Sequence, residues 1–169
     1  MKILVAGAGG QVWQEVMERL SRRASWQCIG LPRQEWDIGD THQTDAILAA
    51  HAPDWVVNCA AYTAVDRAET ESAQCHQVNA FGVAHLAERL AAAGGRLLHL
   101  STDYVFDGMS AEVITEEDQP NPQSVYGATK LEGEKLVQAS GVDYMIIRTA
   151  WVYSSFGHNF VKTMMRLGA

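Results

Sequence analysis

The 169-residue chain has the length and composition of one packed domain: hydrophobic residues make up 47% and charged residues 20%, which excludes intrinsic disorder. Thirteen basic and twenty acidic residues give a net charge of −7, so nothing favours a nucleic-acid or anionic-membrane partner. The first apolar stretch is too short for a secretion signal or membrane span, and we expect a cytoplasmic protein. The three cysteines and six histidines lack ligand spacing, so we expect neither a disulfide framework nor a metal site.

Apolar runs of strand length alternate along the chain with segments of helical period. Strands are predicted at residues 3–6, 28–29, 55–57, 97–100 and 144–147. Helices are predicted over residues 12–20, from Asp66 to Gly94, and from near Ser124 to Gly141. An acidic, proline-containing loop over 109–123 directly precedes the helix that starts near Ser124, and an amphipathic helix is predicted over residues 160–167. The alternation predicts an α/β fold, a doubly wound parallel sheet (Rossmann-like) with helices on both faces.

A glycine-rich turn joins the first predicted strand to the first predicted helix. Gly7 and Gly10 lie in it, and in this setting the backbone amides and positive helix end are typical of a pyrophosphate site. The alternative is an ordinary tight strand-to-helix turn. Trp13 stands where such a turn needs a small residue, so we expect the indole to displace the helix or point outward and to weaken dinucleotide binding.

The segment after the second strand would face the adenosine end of a dinucleotide. It contains Arg33 but no acidic residue for the ribose hydroxyls, which favours a 2′-phosphate and therefore NADP, although a solvated surface arginine is nearly as good an interpretation. Asp37 and Ile38 would offer a carboxylate and an apolar side chain to the adenine.

Tyr126 and Lys130 stand one helical turn apart, on one helix face. A nearby cation stabilises a phenolate, so this spacing predicts a tyrosine of lowered pKa that can act as an acid or base on an alcohol or carbonyl. Such a pair alone is more often an exposed helix surface. Thr102 ends a predicted strand, at the edge where parallel sheets bind ligands, and its hydroxyl could hold a substrate carbonyl.

Six motifs resemble the extended short-chain dehydrogenase/reductase family, and within it the dTDP-4-dehydrorhamnose reductases. The resemblance extends over essentially all of residues 1–169. Its motifs are G-x-x-G-Q-V from residue 7, D-I at 37–38, V-N-C-A-A-Y-T-A-V-D-R-A-E from residue 57, S-T-D-Y-V-F-D-G from residue 101, Y-G-A-T-K-L-E-G-E from residue 126, and R-T-A-W-V-Y from residue 148.

The resemblance implies a reductase that converts dTDP-4-dehydro-L-rhamnose to dTDP-L-rhamnose. Tyr126 would protonate the C4 carbonyl oxygen of the dTDP-4-keto-6-deoxy sugar while NADPH, with NADH possible, delivers hydride. Lys130 would hold the nicotinamide ribose and lower the pKa of Tyr126, and Thr102 would bond the carbonyl. The cofactor-contacting positions would be Gly7, Gly10, Gln11, Val12, Asp37, Ile38, Ala61, Tyr62, Thr63, Tyr126 and Lys130. The sugar-lining positions would be Val65, Thr102, Asp103, Tyr104 and Trp151.

Several alternatives stay open. Trp151 could belong only to the core, and Asn79 could be a helix-kinking or capping group as readily as part of a proton relay. The family's smaller C-terminal substrate domain would begin where this chain ends, so we expect it to be absent and residues 1–169 to form the NAD(P)-binding domain. Apolar surface left near Trp151, Phe156 and residues 160–167 would then favour a homo-oligomer or a rearrangement of the chain end. A non-catalytic NAD(P)-binding partner module, like the regulatory subunit of methionine adenosyltransferase that resembles the same family, is the competing interpretation.

Overall fold

The structure, a computed structural model, describes residues 1–168 and is built on a five-stranded sheet in which every pairing is parallel. The strand order is β2-β1-β3-β4-β5. This arrangement confirms the predicted doubly wound, Rossmann-like sheet, and all five predicted strands lie inside observed ones. The strands are β1 Lys2–Ala8, β2 Gln27–Pro32, β3 Trp55–Asn58, β4 Arg96–Thr102 and β5 Asp143–Thr149.

Seven α-helices are described: α1 Gln11–Ser21, α2 Thr41–His51, α3 Val65–Ala68, α4 Ser72–His76, α5 Gly82–Ala93, α6 Val125–Ala139 and α7 Phe160–Leu167. The single helix predicted from Asp66 onward is wrong. It is divided into α3, α4 and α5, and a π-helical turn, Gln77–Phe81, joins the last two. A short 3₁₀ turn, Asp103–Val105, follows β4.

Helices pack on both faces of the sheet, as predicted. On one face, α1 presents Val16 and Leu20 to a cluster built on Ile3 and Val5 of β1. On the other, α5 and α6 pack on a larger cluster that includes Leu4, Val56, Leu86, Leu97 and Val137. Burial of apolar side chains on both faces of the strands explains why their sequences read as continuous apolar runs.

The predicted helix ends agree with the structure where a cap has a clear local signal. Gly94 caps α5 at φ 71°, a left-handed conformation that glycine adopts without strain. The Ser124 hydroxyl caps α6 by accepting a hydrogen bond from the Gly127 amide at 3.1 Å. Residues 109–123 contain no helix or strand, as predicted, and no described helix is long and apolar enough to cross a membrane.

Trp13 does not point outward, so that alternative is wrong. Its indole packs with Val16 and Cys28 beside the sheet, directly over Gly30 of β2. A Cβ at position 30 would lie well inside contact distance of the indole ring, so the ring fits because this strand position has no side chain. The indole N–H is buried and has no hydrogen-bond partner.

The last helix, α7, has no buried residue. Trp151 contacts Phe160 edge to face, with ring centroids 4.9 Å apart, yet 74% of Trp151 and 53% of Phe160 remain exposed. Met165 and Leu167 are also mostly exposed. The apolar surface expected near Trp151 and α7 is therefore present.

Candidate active site

The carboxyl ends of the parallel strands gather most of the predicted site residues at one edge of the sheet. The glycine turn follows β1, the Ala61–Tyr62–Thr63 segment follows β3, and Thr102 is the last residue of β4. This is the edge at which open α/β sheets bind ligands.

The glycine turn leaves the amino end of α1 free for an anion. The side chains of Asp40, Ser124 and Asn159 cap α2, α6 and α7, whereas the N-cap residue of α1 is Gly10, which has no side chain to cap it. The first amides of α1, at Gln11 and beyond, therefore keep their hydrogen-bonding capacity, and the positive helix end lies behind them.

The space above this turn is also open. No atom lies within 4 Å of a Cβ built on Gly9, and for Gly10 the nearest atom is the Gly7 carbonyl oxygen at 3.5 Å. Gly7 itself, at φ 83°, passes so close to the backbone of Cys59 and Ala60 that a Cβ would lie under 3 Å from both. The turn fits a pyrophosphate, and Trp13 does not fill it because the indole faces the sheet.

Asn79 holds the segment after β3 rather than capping a helix. The Tyr62 amide donates to its Oδ1 at 2.8 Å, and its Nδ2 donates to the Tyr62 carbonyl at 3.1 Å. The same Nδ2 lies 3.3 Å from Cys75 Sγ and from Thr129 Oγ1. Because Asn79 is fully buried in the π-helical turn, this two-point contact fixes the backbone of the predicted cofactor segment.

The predicted adenosine end needs a correction. Ile38 is 1% exposed in the core beside Trp36, so its side chain is not available to an adenine. The Asp37 carboxylate accepts from the Gly39 amide at 2.9 Å and from Arg33 Nε at 3.2 Å. Arg33 is thus an exposed, paired arginine at the carboxyl end of β2, where a ligand phosphate could compete for it.

Lys130 is 2% exposed and points into the sheet. Its Nζ donates to the Leu100 carbonyl at 2.7 Å and lies 3.2 Å from Nε2 of His99. Burial lowers the pKa of Lys130 to about 8, while the charge of Glu134 opposes that shift. His99 is completely buried, and burial followed by the nearby Lys130 charge lowers its pKa well below the ordinary value, so its imidazole is neutral.

The predicted lowering of the Tyr126 pKa is wrong for this structure. Burial raises the pKa of Tyr126, the Thr102 hydroxyl opposes that rise as a hydrogen-bond partner, and the Asp103 charge adds to it. The two hydrogen bonds of Lys130 go to β4, so its charge does not offset the burial of the phenol. Tyr126 is therefore a protonated phenol, the form that a general acid requires.

Thr102 combines a fixed hydroxyl with a position beside Tyr126. Its Oγ1 donates to Asp103 Oδ1 at 3.0 Å and accepts from the Tyr104 amide at 3.2 Å. The Tyr104 ring then meets the Tyr126 ring edge to face at 5.5 Å between centroids. The predicted catalytic set of Thr102, Tyr126 and Lys130 is thus brought together at the end of β4.

An open cavity of about 510 Å³ adjoins Tyr104 and contains three of the predicted sugar-lining residues, Asp103, Tyr104 and Trp151. Val65, at the start of α3, is not among its lining residues. Trp151 adopts φ 50°, a left-handed conformation that a bulky residue rarely takes, and it stands mostly in solvent. The alternative that Trp151 belongs only to the core is therefore wrong.

Two contacts near the site were not predicted from the sequence. The Gln11 side chain donates from Nε2 to the Val152 carbonyl at 2.8 Å, and its Oε1 accepts from Asn159 Nδ2 at 3.3 Å, so the glycine turn is joined to the segment after Trp151. Beneath the catalytic set, Glu134 and Arg148 form a bidentate ion pair with its shortest contact at 2.6 Å, and Glu134 is 1% exposed. A Glu one turn after Lys130 was the only sequence signal for this pair.

Comparison with known proteins agrees with this geometry. The family model described as the RmlD substrate binding domain matches residues 1–169. The dTDP-4-dehydrorhamnose reductase of Sinorhizobium fredii is 42% identical over 99% of this chain, and that of Burkholderia thailandensis is 44% identical over 99%. The chain spans 56% and 55% of the lengths of these relatives.

Solved structures of the same kind superpose closely. The dTDP-4-dehydrorhamnose reductase of Clostridium acetobutylicum, 44% identical, matches 99% of this chain and 59% of its own with a TM-score of 0.94. The Bacillus anthracis reductase, solved in complex with NADP, is 36% identical and gives the same coverage and TM-score. This chain accordingly belongs to the RmlD substrate binding domain family, together with these dTDP-4-dehydrorhamnose reductases.

Proposed function

We propose that this chain takes part in the NADPH-dependent reduction of the C4 keto group of a dTDP-4-keto-6-deoxy sugar, converting dTDP-4-dehydro-L-rhamnose to dTDP-L-rhamnose. The observation that carries the proposal is the meeting of Thr102, a protonated Tyr126 and buried Lys130 at the edge of the sheet that also holds the uncapped end of α1. Relatives of the same family are dTDP-4-dehydrorhamnose reductases.

Residues 1–169 are the cofactor-binding domain in this proposal. The first amides of α1, at Gln11 and Val12, would hold the pyrophosphate, and the segment fixed by Asn79 would lie along the ribose and nicotinamide. NADPH is favoured because the Bacillus anthracis relative was solved with NADP, and because Arg33 supplies a cation where a 2′-phosphate would lie. NADH remains an alternative, since other proteins of this fold were solved with NAD.

NADPH, when bound along this edge, would supply hydride to the C4 carbon of the sugar. Thr102 positions the carbonyl oxygen by a hydrogen bond, and Tyr126 gives its phenolic proton to that oxygen as negative charge develops on it. The Oη–H bond of Tyr126 breaks as the new hydroxyl forms, and the phenolate regains its proton from solvent. Asp103, Tyr104 and Trp151 would line the sugar side, because they share the adjoining cavity.

The test is an NADPH titration followed by turnover of the dTDP-4-keto sugar, on this chain and on a longer version. Where turnover is found, Tyr126→Phe should lower it by roughly 10²- to 10⁴-fold while NADPH binding stays nearly unchanged, because only the proton donor is lost. Near wild-type reduction by Tyr126→Phe contradicts the proposed role.

A non-catalytic NAD(P)-binding partner module is the second candidate. Trp13 favours it, because a large residue stands at the helix-to-strand contact that dinucleotide turns keep small. NADPH binding without turnover in both chain lengths would support the module, whereas turnover in either supports the reductase.

We further propose that the exposed apolar surface of Trp151 and α7 is covered by self-association into a homo-oligomer. The homo-oligomer and the dTDP sugar are both proposed partners, and solution experiments test each of them.

A further inference from the structure

Three buried polar side chains form a line beneath the proposed active site. The Asn58 side-chain nitrogen lies 3.1 Å from His99 Nδ1, and His99 Nε2 lies 3.2 Å from Lys130 Nζ. None of the three is more than 2% exposed, so water does not replace a missing partner. Each hydrogen in this line must therefore have an acceptor, or the mismatch costs free energy.

The orientation of Asn58 is fixed by a backbone group. The Ala60 amide donates to Asn58 Oδ1 at 3.0 Å, and a backbone N–H can only be a donor. Rotating the amide by 180° would place its NH₂ group against that N–H. The group that Asn58 presents to His99 is consequently the NH₂ donor.

The tautomer of His99 follows from that donor. Nδ1 must accept the hydrogen bond from Asn58 Nδ2, so the neutral ring carries its single proton on Nε2. That Nε2–H points at Lys130 Nζ.

An ammonium group at Lys130 has three N–H donors and no lone pair, so it would meet the Nε2–H donor to donor. A neutral amine has a lone pair for Nε2–H and still donates to the Leu100 carbonyl at 2.7 Å. We propose that His99, held in one tautomer by Asn58, is a positioning residue that destabilises the ammonium form of Lys130 in the free protein. The reverse tautomer would only move the conflict to Asn58, because His99 Nδ1–H would then face its NH₂ group.

The charged and titratable groups that face Lys130 from other elements do not remove this conflict. Glu134, one turn further along α6, favours the charged lysine, but its two carboxylate oxygens are bound to Arg148 of β5. Cys75 of α4 also favours the charged form and contacts Thr129 rather than Lys130. Burial acts in the opposite direction to both and is the largest effect, lowering the pKa of Lys130 to about 8.

The consequence for the reaction rests on the proposed function. Because the pKa of Lys130 is lowered to about 8, the Tyr126 phenol has no lysine cation to stabilise its anion above that pH and keeps its proton to high pH. Tyr126 is then held in the protonated form of a general acid, which suits reduction of a carbonyl rather than oxidation of an alcohol.

The experiment is a pH titration of the lysine ¹³Cε signals in the free chain by NMR. Only four lysines occur in the sequence, Lys2, Lys130, Lys135 and Lys162, so the spectrum is simple, and Lys130→Met identifies the signal. Asn58→Asp would accept both from the Ala60 amide and from His99 Nδ1–H, which leaves Nε2 free to accept from an ammonium. His99→Gln offers Lys130 an amide oxygen without adding charge.

Both variants should raise the Lys130 titration midpoint by about one pH unit or more, because each supplies an acceptor to the charged form. His85→Gln, the same change at a histidine that pairs with Asp45 instead, should leave the midpoint unchanged. Equal midpoints in the wild type and both variants overturn the proposal. So does a shift in Asn58→Asp alone, which would reflect the added charge and not the tautomer.

Amide dispersion in the same spectra shows whether each variant is folded, and either folded variant can overturn the proposal. The titration uses neither cofactor nor sugar, so its outcome is separate from the turnover assay. If the Lys130 midpoint does not shift in the variants but the protein is an active reductase, only the role of His99 is rejected. If the midpoint shifts but no turnover is found, only the reductase function is rejected.

Discussion

The fit of Trp13 onto Gly30 makes a quantitative prediction about stability. Gly30→Ala places a methyl group inside the volume of the indole, and overpacking of this kind costs roughly 1–3 kcal/mol in the free energy of unfolding. In a Trp13→Ala background that volume is empty. The same Gly30→Ala change should then be neutral or stabilising by up to roughly 1 kcal/mol, because glycine is entropically unfavourable inside a strand.

A double-mutant cycle measured by urea unfolding isolates this coupling. The two effects of Gly30→Ala should differ by about 1–4 kcal/mol, which is the sum of the avoided overpacking and the strand gain. Trp13→Ala alone should cost less than the roughly 3–5 kcal/mol of a fully buried tryptophan, since the indole is half-buried and its N–H is unpaired. Gln27→Ala, at an exposed position of β2, is the matched control. The same cost for Gly30→Ala in both backgrounds would refute the packing argument.

Four further outcomes are expected. Gly133→Ala should destabilise the chain by roughly 1–3 kcal/mol, because its Cβ would strike the Asn79 carbonyl, whereas Lys135→Ala on the exposed face of α6 should change unfolding little. The free energy of unfolding should fall by ~3 kcal/mol as the pH drops from about 10.5 to about 8, because the unfolded chain binds a proton at Lys130 in that range and the folded chain does not. Urea unfolding at several pH values measures this change, and Lys130→Met should abolish it. Trp13→Gly should strengthen NADPH binding, measured by calorimetry, since a small residue lets α1 approach the sheet. Tight NADPH binding by the wild type, with no higher affinity in Trp13→Gly, contradicts this. Light scattering at high concentration should show self-association through α7, and a clean monomer with α7 docked on its own domain argues against it.

The strands could be predicted because a parallel sheet covered on both faces has continuous apolar segments, and the helix ends because Gly94 and Ser124 are local signals. α2 was not predicted, since its residues are mixed in polarity and Thr44 is its only described buried residue. The π-helical turn between α4 and α5 was missed because its residue Asn79 pairs with the Tyr62 backbone, a tertiary contact that no local pattern shows.

The site residues also divide into those with a local sequence signal and those that depend on tertiary contacts. Thr102, Tyr126 and Lys130 could be recognised because each occurs in a motif with fixed local spacing. The inward position of Trp13 could not be predicted, because the glycine that accommodates its ring lies on the next strand, where no local pattern connects the two. The direction of the Tyr126 pKa shift was misjudged because spacing along a helix places two side chains on one face but does not say to which atoms the lysine bonds.

Buried polar groups concentrate on β4 and α6, and this concentration has a physical cost. His99, Lys130 and Glu134 are each at most 2% exposed, and burying groups of this kind destabilises a fold unless every donor finds an acceptor. Apolar residues of similar size would fill the same volume without that penalty. The line from Asn58 to Lys130 satisfies all its donors only when the lysine is neutral, so the arrangement disfavours the ammonium form. A packing role needs no such selection, whereas a site that must keep a phenol protonated beside a lysine does.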